Sequence, residues 1–135
     1  MIWIPDLQQV MCLHEKVAGR TGGSAGVRDI GLVESALMRA SAQFAGMEAY
    51  TTVEEKAAAI CCGLIGNHGF IDGNKRIGIT AMLLMLRKNG VVLNYTQEEL
   101  IRLGMEGAQG KYDVEYVAGW INAHSVQENT GCGEK

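Results

Sequence analysis

The chain has 135 residues, of which 47% are hydrophobic and 20% are charged, and its net charge is −3. This length and composition fit one globular domain with a core of its own. The negative charge argues against a general nucleic-acid surface and against attachment to anionic lipid, while the longest strongly apolar stretch, residues 77–86, is too short to span a membrane.

The first residues and the cysteines indicate a cytoplasmic protein. Residues 1–5 carry no basic start, so we expect no secretory signal. Four cysteines are present, and the adjacent pair Cys61 and Cys62 fits neither a zinc site nor a secreted disulfide framework. We interpret these two and Cys12 as small buried hydrophobes in a reducing compartment, and Cys132 as an exposed residue of a polar tail.

The first helix and the loop after it are predicted from capping residues and glycines. Asp6 with Gln9 three residues later is typical of a helix N-terminus, and this helix is predicted to run to about Ala18. Residues 19–26 contain four glycines, which indicates a loop or a tight hairpin.

The next two helices are predicted to begin at Asp29 and at Thr51 or Thr52. Asp29 can cap a helix that runs to about Ala45. Each of the two threonines has a glutamate three residues later, the pattern of a capping box, for a helix that reaches Asn67. The apolar face of the second helix consists of Ile30, Val33, Leu37 and Ala40.

The fourth helix is predicted to lie at the centre of the fold. It is expected to run from about Asn74 to Lys88, and residues 77–86 are apolar on every side, as in the middle of a bundle. Asn89 and Gly90 are suited to end it.

Two further helices are predicted after a short extended link. Thr96 with Glu99 forms a capping box for a helix to about Ala108. Asp113 can cap a last helix to about His124.

The predicted elements make an all-α, compact, single-domain helical bundle. A single proline and little alternation of β-branched residues favour helices throughout. We expect the domain to span residues 1–124, followed by a polar tail, residues 125–135, that is frayed.

One short segment, residues 68–76, combines groups that suit phosphate chemistry. Gly73 permits close approach of a ligand, because glycine has no Cβ and accepts unusual backbone angles. The backbone amides of Gly73, Asn74 and Lys75 would then face an anion at the positive end of the helix. Lys75 can neutralise phosphate charge, and Arg76 can bind two phosphate oxygens at once.

Two residues of the same segment can supply the remaining catalytic groups. Asp72 precedes the amides, and a single carboxylate beside phosphates is a common way to hold Mg²⁺. An imidazole such as that of His68 can take the proton from an attacking hydroxyl. Phe70 is expected to point into the core and fix the loop.

Each part of the segment also has a structural explanation when it is taken alone. A histidine that closes a helix often interacts only with the helix dipole, and Asp-Gly-Asn is often a simple turn. Lys75 and Arg76 are harder to explain in this way, because cations in the first helical turn oppose the dipole, a placement that leads us to expect an anion there. The segment is not a Walker A motif.

The segment resembles the signature of the Fic/Doc family, which in its death-on-curing (Doc) branch is H-x-F-x-D-G-N-K-R. The likeness to this branch extends over about residues 10–90. It includes residues 13–15, 22–23, 26–29, 31–37 and 56–59. The resemblance implies a compact all-α fold in which the signature joins two central helices.

The resemblance also implies a role for each residue of the site. His68 would be the catalytic base, and Asp72 would hold Mg²⁺. The phosphates of ATP would be bound by the amides from Gly73 onward, together with Lys75 and Arg76.

Lys75 distinguishes two reactions within this family. Most Fic enzymes have glycine at this position and transfer AMP to a protein hydroxyl. Lysine there resembles the Doc toxins, which use ATP to phosphorylate a threonine of translation elongation factor Tu. We hypothesise that the long cation fills part of the phosphate nest and turns the nucleotide, so that the γ-phosphate meets the hydroxyl. We therefore predict a toxin kinase, with AMP transfer or a non-catalytic module that binds nucleotide or antitoxin as alternatives.

Two departures from the family pattern have expected consequences. Gly69 stands where the family usually has proline, and we expect this glycine to loosen the loop. Residues 77–78 are Ile-Gly where Thr-Ala is commoner, which we expect to affect packing only.

The chain also lacks a complete inhibitory helix of the form S/T-x-x-x-E-G/N. Arg102 and His124 stand four residues before the two candidate glutamates, where the pattern requires serine or threonine. The resemblance therefore implies that a separate antitoxin chain restrains the protein.

The loop of residues 22–28 has two interpretations. It is a candidate for the flap that aligns the target segment in this family. The alternative is a simple connection between helices, with Arg28 in a surface ion pair.

Overall fold

The computed structural model describes residues 1–23, 26–108 and 113–126, and this part of the chain is mainly helical. The helices are α1 Leu7–Thr21, α2 Ile30–Met38, α3 Val53–Asn67, α4 Asn74–Lys88, α5 Gln97–Ala108 and α6 Val114–His124. A 3₁₀ turn, Arg39–Ser41, and a short antiparallel hairpin of β1 Gln43–Phe44 and β2 Met47–Glu48 separate α2 from α3. The predicted all-α fold is confirmed, while most of the predicted tail lies outside the described residues.

The helix starts agree with the predicted capping residues. Asp6 accepts the Gln9 N–H at 2.8 Å, and the Gln9 side chain accepts the Asp6 N–H at 2.9 Å. Equivalent capping boxes join Thr52 to Glu55 and Thr96 to Glu99, and Asp29 and Asp113 cap α2 and α6. A cap of this kind is worth about 1 kcal/mol, so these ends are specified by local sequence.

The second helix is shorter than predicted, because the chain leaves the helix after Met38 rather than at Ala45. Ala45 and Gly46 have positive φ angles of 53° and 80°, which form the two-residue turn of the hairpin. Ile30 is 55% exposed at the first position of α2, so it lies outside the apolar face to which it was assigned. The first helix, by contrast, continues three residues past Ala18 and ends at Gly22, which has a φ of 75°.

Helices α3 and α4 form the centre of the molecule. The fully buried stretch of α3 is largely alanine, from Ala57 to Ala59, which allows neighbouring helices to approach closely. On α4, a Cβ added at Gly78 would lie 2.8 Å from Cγ1 of Ile65 and 3.0 Å from the carbonyl oxygen of Cys61. Glycine at position 78 therefore sets the α3–α4 separation, and the predicted central position of α4 is confirmed.

The cysteines are only partly as expected. Cys61 is buried and Cys62 is half-buried, but Cys12 is exposed. Burial raises the pKa of the Cys61 thiol well above its usual value, and burial raises that of Cys62 to about 11 despite the opposing effect of Arg39. Both α3 thiols therefore stay protonated near neutral pH, as expected for packing residues.

A buried lysine anchors the hairpin to α3. Lys56 is 4% exposed, and its ammonium donates to the Ala40 carbonyl at 2.8 Å and to the Glu48 carboxylate at 3.0 Å. These two contacts fix the chain just before the hairpin and on β2. No helix in the described ranges is long and apolar enough to cross a membrane.

A histidine at the end of α6 joins this helix to α5. Nδ1 of His124 lies 2.7 Å from the Trp120 carbonyl, and Nε2 lies 2.8 Å from the Glu99 carboxylate. Both partners can only accept, so both hydrogen bonds form when both ring nitrogens carry hydrogen and the imidazole is a cation. The Trp120 carbonyl and the Glu99 carboxylate raise the pKa of His124, while the Thr96 amide and His124 lower the pKa of Glu99 to about 2.

This contact predicts a pH-dependent contribution to stability. The His124 contribution is fully present below its unfolded pKa of 6.5 and is lost as the pH rises through the higher folded value. The Glu99 contribution is present above 4.5 and is lost as the pH falls towards about 2. We expect His124→Gln to lower the melting temperature most between these two unfolded values and progressively less at alkaline pH. A difference in melting temperature between wild type and His124→Gln that stays constant or grows from neutral to alkaline pH would contradict this prediction.

Candidate active site

The signature segment forms a sharp bend between the two central helices. His68 ends α3 in the left-handed conformation, with φ 50° and ψ 47°, and Gly73 begins α4 with φ 77°. Positive φ is uncommon for a residue other than glycine, so His68 is held in place by its surroundings. Its imidazole is exposed and makes no hydrogen bond or ion pair with the residues that the structure describes.

The segment before α2 holds this bend from one side. Arg28 donates from Nε to the His68 carbonyl at 2.8 Å and from a terminal nitrogen to the Asn67 carbonyl at 3.3 Å. The guanidinium thus binds the carbonyls at the negative end of α3. The interpretation of Arg28 as a surface ion pair is therefore wrong. The flap hypothesis stays a prediction, since two residues of that loop, 24 and 25, lie outside the described ranges.

Gly69 is packed more tightly than its sequence context indicated. Its carbonyl accepts the N–H groups of Arg28 and Asp29 at 2.8 and 2.9 Å. A Cβ at this position would lie 2.5 Å from Cγ2 of Val33 and 3.0 Å from the Val33 nitrogen. The absence of a side chain is what allows the loop to contact the start of α2, while the expectation that this glycine loosens the loop stays a prediction.

Adding a side chain at residue 69 is expected to destabilise the protein. Gly69→Ala should lower the free energy of unfolding by about 1–3 kcal/mol, since Val33 is β-branched and its backbone cannot move freely. Gly69→Pro, which restores the residue common in the family, should not be more stable than wild type. Chemical denaturation measures both, with Gly66→Ala as the control, because a Cβ there meets nothing within 4 Å. Equal or increased stability of Gly69→Ala would contradict the packing.

Two side chains brace the bend from inside. The Asn74 side chain accepts the Phe70 N–H at 3.1 Å and donates to the Phe70 carbonyl at 3.0 Å. Phe70 is 2% exposed, so the prediction that it points into the core is confirmed. The Asn74 side chain therefore shapes the loop, and only its backbone amide is available to a ligand in the way predicted.

The first turn of α4 opens into a groove of about 540 Å³, a size typical of small-ligand sites. No side chain in the described ranges caps this helix end, which begins at Gly73. The lining residues from the start of α4 and the residue before it are polar: Asp72, Gly73, Asn74, Lys75 and Arg76. The groove is also lined by apolar residues, which include Val17, Ile79, Leu100, Ile101 and Met105. His68 is not among the lining residues, so the structure brings five of the six predicted site residues together in this groove.

The polar residues that line the groove carry an excess of positive charge. Lys75 and Arg76 are exposed, and neither takes part in an ion pair among the described residues. Both lie in the first turn, where the helix dipole is already positive. An anion bound there would relieve this unfavourable arrangement and would meet free backbone amides.

Asp72 is the residue that could hold a metal ion at this site. Its side chain is exposed, and Oδ1 accepts the Gly73 N–H at 2.9 Å. No group of three or more potential ligand side chains occurs within the described ranges. A lone carboxylate next to a phosphate site suits Mg²⁺, which takes most of its ligands from phosphate oxygens and water.

A buried histidine that was not selected from the sequence lies beneath the bend. His14 is 1% exposed, and its ring is stacked on Phe70 with centroids 3.7 Å apart. Nε2 lies 2.8 Å from the Asp72 carbonyl, while Nδ1 is buried and has no hydrogen-bond partner among the described residues. Such an unpaired atom costs roughly 1–3 kcal/mol. The sequence signal was available, since His14 lies one turn from Val10 and Ala18 on the buried face of α1.

The two central helices, the bend and the uncapped start of α4 together define a known class of fold. The model of the Fic/DOC family matches residues 4–86, and the chain belongs to this family.

Two proteins are similar over most of the chain. The Toxin Doc of Mycolicibacterium smegmatis (strain ATCC 700084 / mc(2)155) is 34% identical over 112 residues, which cover 82% of this chain and 86% of that protein. The Protein kinase doc of Escherichia phage P1 is 33% identical over 111 residues, with the same coverage of each.

Proposed function

We propose that the protein is the toxin of a toxin–antitoxin system and acts as an ATP-dependent protein kinase. Its substrate would be a threonine hydroxyl of translation elongation factor Tu, and its phosphorylation would arrest translation. The observation that carries this proposal is the uncapped, doubly cationic start of α4 at the wall of a groove. The names of the two relatives, a toxin and a protein kinase, support it.

The phosphates of ATP would bind to the polar lining residues of the groove. The amides at the start of α4 supply hydrogen-bond donors that no side chain of the described residues occupies, except for the Gly73 N–H that Asp72 accepts. Arg76 can bind two phosphate oxygens and Lys75 can neutralise a third. Mg²⁺ held by Asp72 and the phosphates would further neutralise the charge that develops during transfer.

His68 would act as the general base. Its imidazole takes the proton of the threonine hydroxyl while the oxygen forms a bond to the γ-phosphorus. The bond from that phosphorus to the bridging oxygen breaks, and ADP leaves with the electron pair. An exposed imidazole at the bend, outside the groove lining, suits this role, because the hydroxyl arrives on another protein and approaches from solvent.

Lys75 favours phosphate transfer over AMP transfer. Its side chain occupies the first turn of α4, where glycine would leave room for a further phosphate. AMP transfer would need the α-phosphorus, rather than the γ-phosphorus, to lie next to the attacking hydroxyl. This is the alternative reaction that the same groups could perform.

The partner that restrains the protein would be a cognate antitoxin chain. Glu106 lies on α5, but the inhibitory pattern S/T-x-x-x-E-G/N is not completed there, because Arg102 stands where it requires serine or threonine. Restraint in trans agrees with the names of the relatives. The proposal includes neither direct nucleic-acid binding nor membrane attachment.

Paired labelling with radioactive ATP tests the proposed reaction. The purified protein is incubated with elongation factor Tu and with ATP labelled at either the α- or the γ-phosphate. We expect γ-label on the factor and none from α-label. Transfer of α-label alone would replace the kinase by an AMP transferase, and nucleotide binding without transfer of either label would indicate a non-catalytic module.

A further inference from the structure

His14 lies against three residues of the signature bend, Phe70, Asp72 and Gly73. Its ring stacks on Phe70 at an interplanar angle of 13°, and Nε2 is 2.8 Å from the Asp72 carbonyl. A Cβ at Gly73 would lie 3.5 Å from the same nitrogen. Because a carbonyl oxygen only accepts, Nε2 is the nitrogen that carries the hydrogen in this contact.

The hydrogen bond to Asp72 fixes the orientation of the next amide. The peptide between Asp72 and Gly73 is planar and trans, so its C=O and N–H point in opposite directions. When the carbonyl is held towards the buried face of α1, the Gly73 N–H must point away from His14. Gly73 and Asp72 both line the groove, and the N–H is bonded to Asp72 Oδ1.

We infer that His14 is a positioning residue that holds the Asp72–Gly73 peptide so that the Gly73 N–H faces the phosphate site. The inference rests on the proposed function, in which this amide binds a phosphate of ATP. Packing alone would be served by an apolar residue, whereas the imidazole keeps Nδ1 buried without a partner among the described residues. The Nε2 donor is therefore the feature that requires histidine.

The hydrogen bond from His14 to the Asp72 carbonyl also allows the Asp72 side chain to turn while the peptide stays in place. In the structure its carboxylate accepts the Gly73 N–H, where a phosphate oxygen would bind. Phosphate binding then requires this carboxylate to release the amide. Because His14 holds the carbonyl on the other side of the peptide, the amide keeps its direction when the Asp72 side chain turns away.

Substitutions at residue 14 distinguish the effect of the Nε2 hydrogen bond from the effect of packing against Phe70. Phenylalanine keeps a ring against Phe70 but has no donor, and glutamine places an N–H near the position of Nε2. We expect His14→Phe to weaken binding of ATP with Mg²⁺ roughly tenfold, the effect of one hydrogen bond, and His14→Gln to restore most of the loss. The Gly73 amide resonance of the free protein should shift in His14→Phe and return towards the wild-type position in His14→Gln. Val10→Ala, equally buried one turn earlier on α1, is the control for lost stability.

The outcomes distinguish positioning from simple packing. Wild-type affinity and an unshifted Gly73 resonance in His14→Phe would overturn the inference, as would a glutamine variant no better than phenylalanine. If His14→Phe does not fold, His14→Gln is compared with His14→Asn instead, since asparagine is too short to reach the Asp72 carbonyl. A wild type that binds ATP and shows these residue-14 effects, but transfers no γ-label, would refute the kinase and leave the positioning role intact.

Discussion

His68→Ala is expected to reduce phosphate transfer by roughly 10²–10⁴-fold, the usual contribution of a general base. The loss arises because no other imidazole in the described part of the chain is placed to replace it: His14 is buried under the bend and His124 lies at the end of α6. The fold should persist, since the His68 side chain is exposed and makes no hydrogen bond with the described residues. Initial rates of γ-label transfer and thermal melting measure the two quantities.

The variant His68→Asn distinguishes the loss of the imidazole from the effect of the substitution on the backbone. His68 has a φ of 50°, and asparagine tolerates this left-handed conformation better than alanine does. His68→Asn should therefore melt at least as high as His68→Ala and be equally inactive. Near-wild-type transfer by either variant would exclude His68 as the base.

Asp72→Asn is expected to reduce transfer by at least roughly 10²-fold, because a metal ion contributes several kcal/mol of charge stabilisation in such reactions. The amide oxygen of asparagine can still accept the Gly73 N–H, so the bend should keep its shape. The carboxylate charge that would hold Mg²⁺ is lost. The dependence of transfer on Mg²⁺ concentration should accordingly shift to higher concentrations.

A second aspartate provides a matched control for this change of charge. Asp6 caps α1 through its side chain, and asparagine caps helices equally well. Asp6→Asn should leave both transfer and its Mg²⁺ dependence unchanged. Equal Mg²⁺ dependence of Asp72→Asn and wild type would show that Asp72 does not hold the metal.

Local sequence predicted the helix starts and the bend, but it could not predict where α2 ends. Asp6, Thr52 and Thr96 act within three residues of themselves, so their capping role is visible in the sequence. The hairpin after α2 depends on Lys56, which binds the Ala40 carbonyl and Glu48 from another helix. The sequence of residues 39–45 is compatible with a helix, and these tertiary contacts favour the hairpin instead.

The sequence predicted which residues come together at the groove, but it did not predict the residues that hold the bend in place. The groove contains the residues from Asp72 to Arg76 that the motif indicated, since they are adjacent in sequence. The roles of Arg28 and His14 arise from contacts over 40 and 58 residues of chain, which no local pattern contains. The packing of Gly69 against Val33 is a contact of the same kind, so the sequence did not indicate it. The catalytic and ligand roles of the site residues stay predictions.

The central claim is that the start of α4 presents the γ-phosphate of ATP to a hydroxyl on the translation machinery. Mass spectrometry of that machinery, after expression of wild type and of His68→Ala, tests it most directly. The account predicts a gain of one phosphate on a threonine of elongation factor Tu, in wild type alone. A gain of one AMP, or growth arrest by both proteins with no modified factor, would contradict it.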